Sequence, residues 1–550
     1  PRGPIPAKWM EYRGHYLHED NLVISYSING RGIMEMPAKA QGFGAIVHTL
    51  RVAAGSQPLQ LSVGQLEMPG LRNGFLDPKA PTVKLVNAAA SPADQIAVSG
   101  SPAKQGFGQF TASATFGQTD GLQWNFDERN RMVLTIPASR QGRLFQVIRY
   151  SGQSDAQLLS LAGYLGLLKL KNELPDPAQR LKGGKQRWPE VITTKGTIGS
   201  NDEAYTLDTL TLPGKVPGSV WLRTSALAFF PDGRMAVCTH GGDVWIVSGI
   251  DKSLAKLKWK RFAAGMYEPF GLQVIGGKVY VTCKDRLTRL HDFNKDGEAD
   301  FYESFSADTD VSTFFHAFNF DLQRDAAGNL YYVKAGQYTS HALPGAVIKV
   351  SPDGKRREVY CTGFRTPNGM GILPDGRLTA SDNQGSWMPA SKISLLKPGG
   401  FYGYMPMHKR KVAPKTYDPP LVWIPRVLDN SAGGQVWVPK GKWGPLGGEL
   451  LHFSYGRCTM MHIVRDGTNG GVVPLPGRFL SGACRGRFNP KDGHLYVTGL
   501  LGWQTSAIRD GCLQRVRYTG EPIRQPIGMK IHANGIRLTF STPLDKKIAE

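Results

Sequence analysis

The feature that most constrains this chain is a phrase that returns six times from residue 226 onward. An apolar pair leads into a turn ending in glycine, and a short β-branched or aromatic strand follows. The copies read ALAFFPDGRMAVCT, GLQVIGGKVYVTC, NFDLQRDAAGNLYYVK, GMGILPDGRLTAS, the looser GPLGGELLHFS, and GRFNPKDGHLYVTG. Their turn glycines are Gly233, Gly277, Gly328, Gly376, Gly448 and Gly493, spaced 44, 51, 48, 72 and 45 residues apart. A period in the forties with alternating strands marks units of four antiparallel strands, as in propeller blades. Glycine supplies the positive φ that a tight turn between neighbouring strands needs. The expected fold is therefore all-β, with a six-bladed β-propeller over residues 196–522. The one long interval carries KPGGFYGYMPMHKRKVAPKTYDPP, expected as a long loop on one face.

Residues 1–195 lack this period. They alternate like strands (NLVISYSING, RMVLTIPA, LFQVIRYSG) around one helix-like stretch, DAQLLSLAGYLGLLKL. A separate, mainly β, sandwich-like domain is expected there, closed by the Pro- and Lys-rich linker NELPDPAQRLKGGKQRWPE. Residues 523–550 look like the opening strands of a further Ig-like domain, too short to close a sandwich. The natural protein is expected to continue past Glu550. Because the chain begins at Pro1 without a charged-then-apolar leader, it reads as a processed product or an excised fragment.

The formal charge of +22 favours anionic partners at long range. The basic residues are dispersed, with dense clusters only at Lys256–Arg261 and His408–Lys415. Neither cluster lies in a zinc finger, a KH-like loop or an aromatic RNP pattern, so nucleic acid is not expected as a partner. Acidic polysaccharide or an anionic surface suits the charge better. No apolar run has the length of a membrane span. The six cysteines form no CxxC or CxxCH, which removes zinc ribbons, thioredoxin chemistry and attached c-type haem. Disulfides and buried free thiols both remain open.

Two sets of residues carry chemistry. In DFNKDGEADFYE, Asp292, Asn294, Asp296, Glu298, Asp300 and Glu303 follow the oxygen-ligand spacing of a calcium loop, with Gly297 at the sharp turn. The flanks read as strands rather than as the helices of an EF-hand. The second set is cationic: His240, His316, Arg365, Arg457, Arg485 and Arg487 stand at comparable points of different repeats. Clustered guanidiniums require an anion to relieve their repulsion.

The spans His316–Gly336, Gly363–Tyr404 and Arg485–Thr498 resemble the soluble quinoprotein glucose/sorbosone dehydrogenases, including aldose sugar dehydrogenases. The matching phrases are GFRTPNG, PDGRL, SKISLLKPGGFYGY, and Arg485-Gly486-Arg487 ahead of PKDGHLYV. The resemblance covers roughly residues 220–520. It implies a six-bladed propeller binding pyrroloquinoline quinone (PQQ) with calcium. It further implies His316 as general base and Arg365 on the quinone oxygens. Arg457, Arg485 and Arg487 would then lie on the cofactor carboxylates, and Gly385 and Ser386 near the calcium. Thr366 stands where the family commonly has Asn, and Phe315 where an acidic residue often precedes the His. The whole chain also resembles large secreted bacterial proteins that join such a unit to an uncharacterised β domain, often with a c-type cytochrome further on.

The leading expectation is thus a periplasmic or secreted PQQ-dependent sugar dehydrogenase passing electrons from a carbohydrate to a cytochrome. One alternative is a non-catalytic propeller binding carbohydrate or anionic glycan through Trp387, Tyr402, Tyr404 and Trp503, with His240 nearby. Another is a metal-dependent hydrolase or lyase drawing ligands from His240, His316, His341, His408 and His452. No H-x-H or H-x-x-x-H pair fixes such a site.

Overall fold

The computed structural model describes all residues except 1–5, 7, 68–69, 104–105, 172, 338–341, 409, 546 and 548–550. The chain divides into two compact units. The first comprises residues 1–187 with Asp292–Glu303, and the second comprises Trp188–His291 with 304–550.

In the first unit Met10–His18, Asn21–Ile28, Arg31–Lys39 and Ile46–Val52 form an antiparallel meander. Its first two turns hold two residues each, with φ of 54° at Glu19, 48° at Asn29 and 77° at Gly30. Such left-handed turns match the twist of the strands they join. Arg143–Gly152, Phe107–Gly117, Ile96–Pro102 and Arg72–Leu76 extend the sheet on one side. A second sheet, ordered Leu59–Gly64, Met132–Ile136, Gln123–Phe126 and Ala90–Pro92, shares a core with it through Val52, Phe75, Trp124, Leu134 and Phe145. The expected helix runs from Asp155 to Lys171 and buries Leu158, Leu161 and Leu165 against Phe110 and Ile148.

The loop from Asp292 belongs to this first unit, which its place between two repeats did not foretell. Phe301, Tyr302 and Glu303 pair with Tyr16, His15 and Gly14. Phe301 stacks on Tyr16 with ring centroids 4.1 Å apart, and Tyr302 on His15 at 4.7 Å.

The second unit is a series of separate antiparallel sheets. Each expected turn glycine has positive φ, between 73° at Gly493 and 90° at Gly448. The expectation of a six-bladed β-propeller is nevertheless not met. Among the described residues no sheet closes into a barrel, and the sheets are not six four-stranded copies. The first has five strands, ordered Val191–Thr194, Leu257–Ala263, Val244–Ser248, Met235–Thr239 and Thr224–Phe229. The second repeat gives Gly271–Ile275, Lys278–Thr282 and Arg286–His291, and the chain then passes into the first unit at Asp292. Three four-stranded sheets follow, starting at Asn319, Pro367 and Ala432. The last repeat supplies Gly482–Phe488, Leu495–Leu500 and Cys512–Tyr518, and Tyr205–Thr209 completes their sheet from far upstream.

The tail forms the hairpin Pro526–His532 with Gly535–Phe540, held to Asp466 by Lys530 at 2.9 Å. All six cysteines are free and buried. Burial pushes the Cys484 thiol up to about 11, so it stays protonated at neutral pH. Among the described residues no helix is long and apolar enough to cross a membrane.

Candidate functional site

Strand register places one end of each sheet of the second unit in an equivalent position. The pairs there are Thr224 with Thr239, Gly271 with Thr282, Asn319 with Lys334, Pro367 with Asp382, Ala432 with Ser454, and Gly482 with Leu500. Loops leaving these ends are hydrogen-bonded from sheet to sheet. Asn319 Nδ2 donates to the Lys284 carbonyl at 2.9 Å, Gly336 N to the Arg365 carbonyl at 3.0 Å, and Ala432 N to Asn383 Oδ1 at 2.7 Å. Nearly every cationic candidate from the sequence lies on these loops or on the strands beneath them.

Arg365 is held from below by a carboxylate. Asp382 is fully buried and accepts the backbone N–H groups of Arg365 at 2.9 Å and Thr366 at 2.8 Å. Burial pushes the Asp382 carboxyl up, and the charge of nearby buried Lys392 opposes that shift. The Arg365 guanidinium reaches Thr366 Oγ1 at 3.1 Å, Ser386 Oγ at 3.4 Å and the Gln384 carbonyl at 3.4 Å. Among the described residues no carboxylate forms an ion pair with it. Among the described residues its guanidinium meets only neutral oxygens. Gly385 and Ser386 lie against this arginine. Gly385 and Met388 exchange backbone hydrogen bonds at 2.8 and 2.9 Å, and the two-residue turn between them lifts Trp387 outward, 61% exposed.

His316 belongs to the same corner. Its Nδ1 is buried and has no partner at hydrogen-bond geometry among the described residues. Burial, joined by the charge of Arg365, pushes the imidazole below its ordinary value, while the Gln337 amide pulls the other way. A neutral imidazole with a free nitrogen beside a guanidinium that meets only neutral oxygens can take a proton from a hydroxyl and leave the resulting oxyanion facing a cation. Phe315 packs against His316 with ring centroids 4.0 Å apart and the planes tilted by 47°, and it is 63% exposed.

His240 lies among two ion pairs, Arg223–Asp510 at 3.1 Å and Lys284–Glu268 at 2.9 Å. Burial and then Arg223 push its imidazole down. Sequence reasoning missed these four partners, and also Trp221 and Tyr267, which join Phe315, Trp387 and Trp503 as exposed aromatics of these loops. The aromatic residues preceding each first strand were the available signal.

Arg485 and Arg487 converge on a buried acid. Both reach the buried carboxylate of Asp321, Arg485 Nε at 3.4 Å and Arg487 Nη2 at 3.1 Å, and Arg485 is 1% exposed. The two guanidiniums that the resemblance places on PQQ carboxylates therefore already have an anion. The pair does not fit that role. Asp321 escaped notice because a lone acid in NFDLQ has no local partner that reveals it. Arg457 donates to the Arg426 carbonyl at 3.1 Å and braces a turn.

Two of the expected aromatic contacts are corrected. Tyr402 and Tyr404 are 0% and 1% exposed, so neither can form a platform for a ligand. Tyr402 stacks on Phe364, and its hydroxyl donates to the Leu395 carbonyl at 3.0 Å.

In the acidic loop the carboxylates accept backbone amides. Asp292 accepts the amides of Asp296 at 3.2 Å and Gly297 at 3.0 Å, and Asp300 accepts that of Phe293 at 2.6 Å. Glu298 accepts the Arg187 amide at 2.8 Å, while Asn294 donates to Asp296 at 3.0 Å. Among the described residues no group of three or more His, Cys, Asp or Glu side chains is placed to hold a metal ion. The expected calcium is not confirmed there, and the histidines form no metal cluster among the described residues either. Fully buried His452 bonds Asp429 at 2.8 Å, His408 Nδ1 accepts the Arg410 amide at 3.0 Å, and His341 lies outside the described residues.

A family model described as a domain of unknown function (DUF6797) matches residues 1–35. No curated protein matches the chain. Among solved structures, the PQQ-bound aldose sugar dehydrogenase of Streptomyces coelicolor is 14% identical with a TM-score of 0.40, over 58% of this chain and 100% of its own. The apo-form of the soluble aldose sugar dehydrogenase of Escherichia coli is 15% identical with a TM-score of 0.42, over 57% of this chain and 99% of its own. The PQQ domain of pyranose dehydrogenase from Coprinopsis cinerea is 10% identical with a TM-score of 0.42, over 60% and 98%. These are remote similarities of fold, and the chemistry of the site rests on its own residues.

Proposed function

We propose that the second unit is a carbohydrate oxidoreductase in which His316 takes the proton of a substrate hydroxyl, Arg365 steadies the oxyanion, and the hydrogen on the same carbon would leave as hydride to a two-electron acceptor of the quinone class. The observation that carries this reading is His316, whose buried Nδ1 has no hydrogen-bond partner among the described residues, beside the Arg365 guanidinium, which forms no carboxylate ion pair among them. Trp387 and Phe315 provide apolar faces on which a sugar ring can lie. A periplasmic or secreted location and a c-type cytochrome as electron acceptor belong to the proposal through the sequence resemblance. The oxidant is not seated at Arg485 and Arg487, so the reading stands on His316 and Arg365 alone.

The test is dye-linked oxidation of a panel of aldoses and oligosaccharides, with and without added PQQ and calcium, beside His316→Ala. Turnover by the wild type that is lost in the variant supports the proposal. Equal rates in both proteins would sink it.

A second reading, a glycan-binding unit without catalysis, is favoured by the exposed aromatics Trp221, Phe315, Trp387 and Trp503. It predicts saturable glycan binding that Trp387→Ala weakens and His316→Ala leaves intact, with no oxidation of any sugar.

A further inference from the structure

Arg485 and Arg487 alternate along the strand Gly482–Phe488, so their side chains leave the same face. Both meet Asp321, which lies on a different sheet. Asp321 holds φ of 63°, a conformation that Asp, Asn and Gly adopt more readily than other residues. That backbone turn aims its carboxylate at the arginine strand, and amide donors complete the seat. Oδ2 accepts Met370 N at 2.9 Å, while Oδ1 accepts Leu322 N at 2.8 Å and Gln323 Nε2 at 3.0 Å. Burial works to raise this carboxyl, but the charges of Arg485 and Arg487 and the amide donors overcome it and hold it ionised.

Two guanidiniums converging on one buried point make a carboxylate receptor. Here the receptor is full. We propose that Asp321 is a built-in anion occupying the seat between Arg485 and Arg487, so that the chain excludes carboxylate ligands there. Removing its side chain opens the seat to a small carboxylate such as formate or acetate. Selectivity follows from the same geometry. Ligands of the second unit must make their contacts elsewhere, and a polycarboxylated cofactor finds no anchor at this arginine pair.

The experiment has two arms. In the first, the wild type is titrated with PQQ and, separately, with formate, using absorbance, calorimetry and the thermal midpoint against chloride at equal ionic strength. No saturable response to formate is expected, and any PQQ binding should be unchanged in Arg485→Ala. Saturable PQQ binding that disappears in Arg485→Ala would overturn the proposal. In the second arm Asp321→Gly, which the positive φ tolerates, is treated in the same way. Its midpoint should fall and then recover saturably with formate, and Arg487→Ala in that background should reduce formate affinity by about tenfold or more. A variant that responds alike to formate and chloride would also overturn it. If the glycine variant does not fold, the wild-type arm still decides.

Discussion

A methyl group at Gly385 would stand 2.5 Å from Cζ of Arg365, far inside contact distance, so the loop backbone and the guanidinium fit together only because residue 385 has no side chain. Gly385 also holds φ of 150°, which an L side chain resists. Gly385→Ala should therefore displace Arg365 and cost about 1–3 kcal/mol, as overpacking commonly does. Chemical denaturation would measure the cost. Sugar binding or turnover should fall with it, while Gly376→Ala, in an open turn far from any contact, should leave the ligand response unchanged.

The pH dependence of any reaction at this corner should report His316. As a base it must be neutral, so activity should fall as pH drops through its pKa, which burial and Arg365 hold below the ordinary 6.5. Arg365→Ala removes a cation that disfavours imidazolium and should move the acid limb to higher pH. Gln337→Ala removes a group that favours imidazolium and should move it lower. Histidine resonances followed by NMR would show both shifts without relying on turnover.

Asp308 and Lys334 form a pair at 2.7 Å in which neither side chain is more than 1% exposed. Tyr332 donates to the same carboxylate at 2.7 Å, and Arg357 also pairs with it. Lys334→Ala should cost about 1.5–3 kcal/mol, because Asp308 loses one buried charged donor while Arg357 and Tyr332 still hold it. Arg377→Ala, which breaks a pair with Asp375 whose partners are 47% and 50% exposed, should cost about 1 kcal/mol or less. Denaturant melts of the two variants would separate these cases. Although burial acts to raise it, the Asp308 carboxyl lies below its usual 3.8 because Lys334 and Arg357 outweigh the desolvation. Its contribution to stability is thus present above that value and lost as pH falls through the lowered one.

The loop at Asp292 should behave in the opposite sense. Burial first, then the charge of Asp296, push the Asp292 carboxyl up, and burial raises Asp300 as well. A raised carboxyl favours the protonated folded state, so stability falls as pH rises through the folded pKa. Asp292→Asn should lose less stability than the wild type as pH rises from 4 to neutral, because it carries no charge to desolvate. Thermal melts of both proteins between pH 4 and pH 7 would check this. Adding calcium or a chelator should leave the midpoint unchanged if the carboxylates keep their amide partners.

Much of the local structure was legible in the residues. The stretch DAQLLSLAGYLGLLKL forms the helix Asp155–Lys171, and the six turn glycines take positive φ. His316, Arg365 and Trp387 share a corner because the loops that carry them follow from the repeat. Tyr402 and Tyr404 were misjudged, since a glycine-rich loop suggests exposure while their rings turn inward. The acidic loop was legible only in part. Spacing showed which oxygens could converge, but not that backbone amides would bond several of them.

By itself the sequence determined the strand period, the turns and the inventory of cationic groups, because these depend on neighbours within a few residues. Tertiary structure decided which charges are neutralised. Asp321 and Arg487 lie 166 residues apart, and no local pattern links them. Their pairing exists because burial makes an uncompensated charge costly, so the fold must bring distant opposite charges together. Half-buried Arg365 differs: among the described residues its guanidinium meets only the neutral oxygens of Thr366, Ser386 and Gln384.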